Sequence, residues 1–145
     1  MRQAHEMMTS DVVAIKPYTP ILQATRMLAE HNVTGFPVVD DKNMLLGILS
    51  EKDVLQLFAT EKSANDEQVK DFMTQPAIYF EATESIEAVC ECLRSYDFRR
   101  VPITRNGRLV GIVTRRDIIT HMLPNDHNCY QHAKKTSQEK ALTRT

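Results

Sequence analysis

The apolar positions of this chain fall into two successions of short runs and helical stripes that read almost alike. The first opens with Val12-Val13-Ala14-Ile15, a β-type run. Ile21, Ala24, Met27, Leu28 and His31 then recur at the spacing of one helix face, with Thr19 as the predicted cap and Pro20 in the first turn. Residues 36–39 read as a buried strand and residues 45–49 as the next, before a helix starting at Glu51. The second succession opens with Ala77-Ile78-Tyr79-Phe80 and continues with a stripe of Ile86, Val89, Leu93 and Tyr96. Strands are predicted over 101–104 and 109–113, and Asn106-Gly107 between them is a hairpin signal. A final helix begins at Arg115.

The two successions superpose. Placing Met8-Thr9 on Met73-Thr74 brings Ile21 onto Ile86, Leu28 onto Leu93 and Pro37 onto Pro102. One deletion in the turn then brings Gly47 onto Gly111, Ser50 onto Thr114 and Asp53 onto Asp117. The chain is therefore a β-α-β-β-α unit written twice. A three-stranded sheet with helices on one face leaves apolar surface uncovered. Two units are expected to bury it against each other as one pseudo-symmetric module. The expected organisation is a first motif over 7–60, a polar linker over 61–68, a second motif over 69–122 and a polar, partly disordered tail over 123–145. Residues 69–73 are predicted to form a short helical lead-in.

Composition narrows the function. The 145 residues are 42% hydrophobic and 26% charged with no Trp, an ordinary globular balance with an aliphatic core. A net charge of -1 argues against broad nucleic-acid binding. No apolar run is long enough to span a membrane, and the first ten residues lack the apolar stretch of a signal peptide, so a cytoplasmic protein is expected. Cys90 and Cys92 lie two apart on a predicted helix and point to different sides; with Cys129 they read as reduced thiols.

In this order, and twice over, the motifs resemble the cystathionine-β-synthase (CBS) domain family as a tandem pair, across about residues 7–122. The carriers are Met-Thr at 8–9 and 73–74, Phe36-Pro37-Val38-Val39 with Val101-Pro102-Ile103, and Gly47-Ile48-Leu49-Ser50-Glu51-Lys52-Asp53 with Gly111-Ile112-Val113-Thr114-Arg115-Arg116-Asp117. The resemblance implies an α+β (α/β-type) fold in which the two motifs pack with pseudo-two-fold symmetry into one disc-like module. It implies clefts that take adenosine-containing ligands such as AMP, ADP, ATP or S-adenosylmethionine, and flat homodimers. Ligand binding would shift the angle between motifs or subunits and signal to a protein effector.

Ser50-x-x-Asp53 and Thr114-x-x-Asp117 have the spacing of an N-terminal capping box, which on spacing alone is the commoner role. The same geometry presents unpaired amides and the positive end of a helix dipole to an anion. The resemblance places Asp53 and Asp117 on ribose hydroxyls. It also implies that Lys52 and Arg116, and basic residues just before the apolar-Pro pair, reach phosphate. The second copy has Arg99-Arg100 at that place and the first has Thr34-Gly35, so the second is the favoured anion site. That site comprises Ala77, Ile78, Arg99, Arg100, Val101, Pro102, Thr114, Arg116 and Asp117. The weaker first site comprises Val13, Ile15, Phe36, Pro37, Ser50, Lys52 and Asp53. The apolar members would wall an adenine base, although core packing is their ordinary role.

Other chemistry finds less support. His127-x-Cys129-x-x-His132, near His121, fits no defensible zinc spacing, and no metal or required cofactor is expected. No nucleophile elbow, phosphate loop or His-Glu-x-x-His motif is present, so no enzymatic activity is expected. Seven Arg between Arg94 and Arg116 stand without a helix-turn-helix or stacking-aromatic pattern, so nucleic acid is not the expected partner. The competing reading is a ligand-free dimeric scaffold.

Overall fold

The computed structural model describes residues 2–59, 66–96 and 99–123. Its elements are α1 (Ala4–Met7), α2 (Ile21–His31), β1 (Gly35–Val39), β2 (Leu45–Ser50), α3 (Glu51–Ala59), a 3-10 turn (Val69–Asp71), β3 (Phe80–Glu81), α4 (Ile86–Ser95), β4 (Arg100–Arg105), β5 (Arg108–Thr114) and α5 (Arg115–Met122). The expected β-α-β-β-α order is complete in the second copy of this mixed α and β chain, and in the first copy the opening strand is reduced to a single bridge.

The compact units are cut differently from the repeat. Among the described residues, one unit is 13–77 and the other joins 2–12 to 78–123. Each lead-in therefore packs on the strands and helices of the other copy. Ala4 and Met7 join Ile86, Val89, Leu93, Val101, Ile103 and Val113 in one core. Val69 and Phe72 join Ile21, Leu28, Phe36, Val38, Leu49 and Val54 in the other. Short antiparallel bridges pin both lead-ins at equivalent places, Gln3 to Ser85 and Pro20 to Gln68, then Thr9 to Ile112 and Ile48 to Thr74.

The sheets follow from the same local rules in both units. The β1–β2 hairpin pairs Gly35 with Ser50 and carries a bulge between Val38 and Val39. The β4–β5 hairpin pairs Arg100 with Thr114 and bulges at the matching place, between Ile103 and Thr104. The opening runs are shorter than expected. Residues 12–15 form only the parallel bridge of Ile15 with Val38, and residues 77–80 contribute only the start of β3. Ile15 donates to the Pro37 carbonyl at 3.0 Å and accepts from Val39 at 2.9 Å. The next rung upstream needs a donor at position 37, and proline has none. Pro102 stops β3 in the same way.

Two helix details differ from the sequence reading. Thr19 does not cap α2: Pro20 occupies the cap position without a side-chain bond. The Thr19 carbonyl instead accepts from Val69 at 2.9 Å, and the Ile21 amide donates to Glu67 at 3.0 Å, so tertiary contacts satisfy this helix start. Tyr96 and His31 leave their stripes for the surface because the helices end there, with Asn32 in the left-handed region after α2. In α4, Ser85 does cap, accepting from Ala88 at 3.3 Å. Cys92 is buried and Cys90 half-buried, and burial raises both thiol pKa values.

Each hairpin turn is clipped by the residue after the opening run, with opposite charge. Glu81 accepts from the buried Thr104 hydroxyl at 2.8 Å and from the Asn106 and Gly107 amides at 3.0 and 3.4 Å. Lys16, its counterpart, donates to the Asp40 carbonyl at 2.9 Å. The Asp40 carboxylate itself takes the turn amides of Lys42 and Met44, each at 2.9 Å. The Thr104 hydroxyl above all holds the Glu81 carboxyl below its ordinary value of 4.5; desolvation opposes it, and the two amides and the Arg105 charge add to the lowering. A depressed folded-state pKa means that the contribution is present above the ordinary value and is lost as pH falls through the folded one. Urea unfolding of wild type and Glu81→Gln should therefore differ most above about pH 5 and converge as the pH falls through the lowered folded-state value. A difference that stays constant with pH would contradict the charged clip.

Gly47 and Gly111 lie where the lead-ins cross the strands. A Cβ on Gly47 would stand 2.5 Å from the Thr74 carbonyl oxygen, whereas one on Gly111 would meet the Met8 side chain. Gly47→Ala should thus cost about 1–3 kcal/mol in urea unfolding, and Gly111→Ala less, because a methionine side chain yields and a backbone carbonyl does not. Equal costs would contradict this packing.

Candidate functional site

The hydroxyl and acid of each Ser/Thr-x-x-Asp segment stand where a hairpin strand turns into a helix. Thr114 ends β5 and caps α5, its hydroxyl accepting from the Asp117 amide at 3.1 Å. The Asp117 Oδ2 accepts in return from the Thr114 amide at 2.9 Å and from its hydroxyl at 3.0 Å. In the first copy, Asp53 Oδ2 accepts from the Ser50 amide at 2.8 Å and its hydroxyl at 2.9 Å, while the Asp53 amide donates to the hydroxyl at 3.3 Å. The capping role is thus realised in both copies.

One donor in each case comes from a segment the sequence reading used only as a repeat marker. Thr9 donates to Asp117 Oδ1 at 3.4 Å, and Thr74 donates to Asp53 Oδ1 at 3.0 Å. The swap of lead-ins explains the pairing: the Thr of each Met-Thr reaches the acid of the other repeat. Sequence offset alone does not say which copy a lead-in joins.

The two acids differ in what faces them. Arg100 is the first residue of β4, directly across the hairpin from Thr114. Gly35 holds the matching place across from Ser50. A Cβ there would lie 2.9 Å from the Leu49 carbonyl oxygen, so no larger residue fits without movement. Arg100 is half-buried, and its Nε is buried without a hydrogen-bond partner. Burial lowers its pKa, the neighbouring Arg99 lowers it further, and Asp117 opposes both by stabilising the charged form. This is a desolvated guanidinium with one spare buried donor, a state that an incoming anion relieves.

The remaining candidates divide by burial. Val101, Pro102, Phe36, Pro37 and Ile15 are core residues; the Phe36 ring meets His31 edge-on at 5.7 Å. Their side chains pack the units, and their backbone is taken up in the sheets: β4 is the central strand of its sheet, and the Ile15 amide already donates to the Pro37 carbonyl. Val13 and Ile78 are 43% and 44% exposed and Ala77 is half-buried, so these retain accessible apolar surface. Arg99, Lys52 and Arg116 are exposed. The Arg99 carbonyl accepts from the Arg115 amide at 3.3 Å, which ties the start of β4 to the start of α5. Ala77 belongs to the 13–77 unit, whereas the other second-copy candidates belong to the unit containing 78–123.

Among the described residues, no group of three His, Cys, Asp or Glu could hold a metal ion; His127, Cys129 and His132 lie outside them. No described helix is long and apolar enough to cross a membrane.

A doubled unit with an acid and a hydroxyl at each strand-to-helix junction defines a class of paired repeats, and comparison places the chain within it. The CBS domain family matches residues 4–60 and 69–124, and the chain belongs to that family. It is 32% identical over 114 residues to an uncharacterized protein of Methanocaldococcus jannaschii, covering 79% of this chain and 40% of that one. It is 29% identical over 143 residues to Hypoxic response protein 1 of Mycobacterium tuberculosis, covering 98% and 99%. Among solved structures, CBSX2 in complex with AMP superposes with a TM-score of 0.73 at 28% identity, covering 84% of this chain and 96% of that one.

Proposed function

We propose that this chain is a regulatory module that binds an adenosine-containing ligand, AMP, ADP, ATP or S-adenosylmethionine, and signals its presence to a protein partner in the cytoplasm without turning the ligand over. Asp117 would take ribose hydroxyls. Arg100, with Arg99 and Arg116, would take phosphate. Val101 and Pro102 would wall the base, with Ile78 as apolar cover. The single observation that carries the reading is Arg100: a half-buried guanidinium with an unpartnered Nε, across the strand from Thr114 and under the field of Asp117. The AMP complex of the related CBSX2 supports the ligand class. Ser50, Lys52 and Asp53, with Val13, Ile15, Phe36 and Pro37, would form a weaker nucleoside site, since Gly35 stands where Arg100 does in the second copy.

Calorimetric titration with AMP should give binding that Arg100→Ala weakens about tenfold or more, a charge-assisted contact being worth about 1.5–3 kcal/mol. Adenosine should bind wild type and Arg100→Ala alike. Binding of AMP that is indifferent to both Arg100→Ala and Asp117→Ala would overturn the assignment.

A second reading, the ligand-free dimeric scaffold, is favoured by one observation. Leu55 and Phe58 on α3 are 63% and 89% exposed, and their repeat equivalents Ile119 and Met122 on α5 are 53% and 76% exposed. The same apolar pair thus stands on the surface of both copies, and a second copy of the chain is the occupant we assign to it. Sedimentation should show a dimer that Phe58→Asp with Met122→Asp converts to a monomer. A wild-type monomer would contradict it.

A further inference from the structure

Each hook carboxylate already accepts three hydrogen bonds from its own chain. Asp53 Oδ2 takes the Ser50 amide and hydroxyl, and Oδ1 takes Thr74. Asp117 Oδ2 takes the Thr114 amide and hydroxyl, and Oδ1 takes Thr9. An ionised carboxylate offers about four lone-pair positions, so one stays open. A vicinal diol that donates both hydroxyls needs two.

We propose that Thr9 and Thr74 are built-in occupants of the diol position, and that a bound ribose turns each hydroxyl away by rotation about its Cα–Cβ bond. The inference rests on the ribose-binding reading of Asp53 and Asp117. Among the three donors the threonine is the one free to leave. The Ser50 and Thr114 amides are fixed at the helix starts. The Ser50 and Thr114 hydroxyls also accept from the Asp53 and Asp117 amides, so moving either breaks two bonds. Thr9 and Thr74 are exposed, so water can take over their hydroxyls.

The lead-ins stay in place while the side chain turns. Thr74 exchanges backbone bonds with Ile48 at 2.9 and 3.1 Å, and Thr9 exchanges them with Ile112 at 2.8 and 2.9 Å. Only a staggered side-chain well changes. The occupants are not equal: Thr74 holds Asp53 at 3.0 Å and Thr9 holds Asp117 at 3.4 Å. The first hook is therefore shut more tightly than the second, which adds to the advantage Arg100 gives the second. Each threonine weakens the binding of a ribose and leaves a 2′-deoxyribose, which needs one acceptor fewer, unaffected.

Titration of Thr9→Val and Thr74→Val with AMP and 2′-deoxy-AMP tests this. The Asp53→Ala background isolates the second hook and Asp117→Ala the first, each checked for folding by circular dichroism. The valine variants should bind AMP about 3- to 10-fold tighter, Thr74→Val gaining more than Thr9→Val. Their affinity for 2′-deoxy-AMP should not change, and Thr9→Ser and Thr74→Ser should behave as wild type. AMP bound by variants where wild type shows no heat also supports the occupants. Unchanged or weaker AMP binding, or an equal gain for both nucleotides, overturns this inference and leaves the ribose reading standing. No binding by wild type or any variant overturns both.

Discussion

Asp53 and Asp117 each tie three pieces of chain together, and the rest of each unit is arranged around that tie. One carboxylate oxygen closes the cap between the last residue of a hairpin strand and the first turn of a helix. The other reaches a threonine on the lead-in of the opposite repeat. The glycine earlier in the same segment leaves room for that lead-in to lie against the strand. Glycine, hydroxyl and acid thus act as one constraint on backbone approach, helix start and chain crossing. A ligand that competes for the acid acts on a junction the fold already depends on.

The duplication builds this junction twice, and single positions make the two unequal. Arg100 and Gly35 stand at the same register place across from Thr114 and Ser50. A half-buried cation lacking a partner for one donor is costly until an anion arrives, whereas a glycine closed in by a neighbouring carbonyl offers no such donor. The turn clips diverge in the same manner, Glu81 gathering a hydroxyl and two amides where Lys16 gathers a carbonyl. The fold tolerates either sign because each clip satisfies what its turn presents.

Much of this was legible in the residues. The repeat, the hairpins, the core faces of α2 and α4, the caps at Ser50 and Thr114, and the unequal arginine content all follow from periodicity and local chemistry. The short opening strands were legible in principle, since Pro37 and Pro102 remove the donors a longer ladder needs. The failure of Thr19 as a cap was not, because the partners that satisfy that helix start come from Glu67 and Val69, far along the chain. The swap of lead-ins was also hidden. Either copy could have received Met8-Thr9, and the packing of Ala4, Met7 and Met8 on the second copy decides it. With the swap went the two threonine donors, which no spacing within one repeat relates to the acids they meet.

The central claim is that one junction serves both as fold constraint and as ligand hook, with the second copy as the anion site. A crystal structure with AMP bound tests it most directly. The account predicts ribose hydroxyls on Asp117 Oδ1, phosphate on the Arg100 guanidinium, and a Thr9 hydroxyl turned away from the acid. Phosphate held elsewhere, with Asp117 still closed on Thr9, would contradict it.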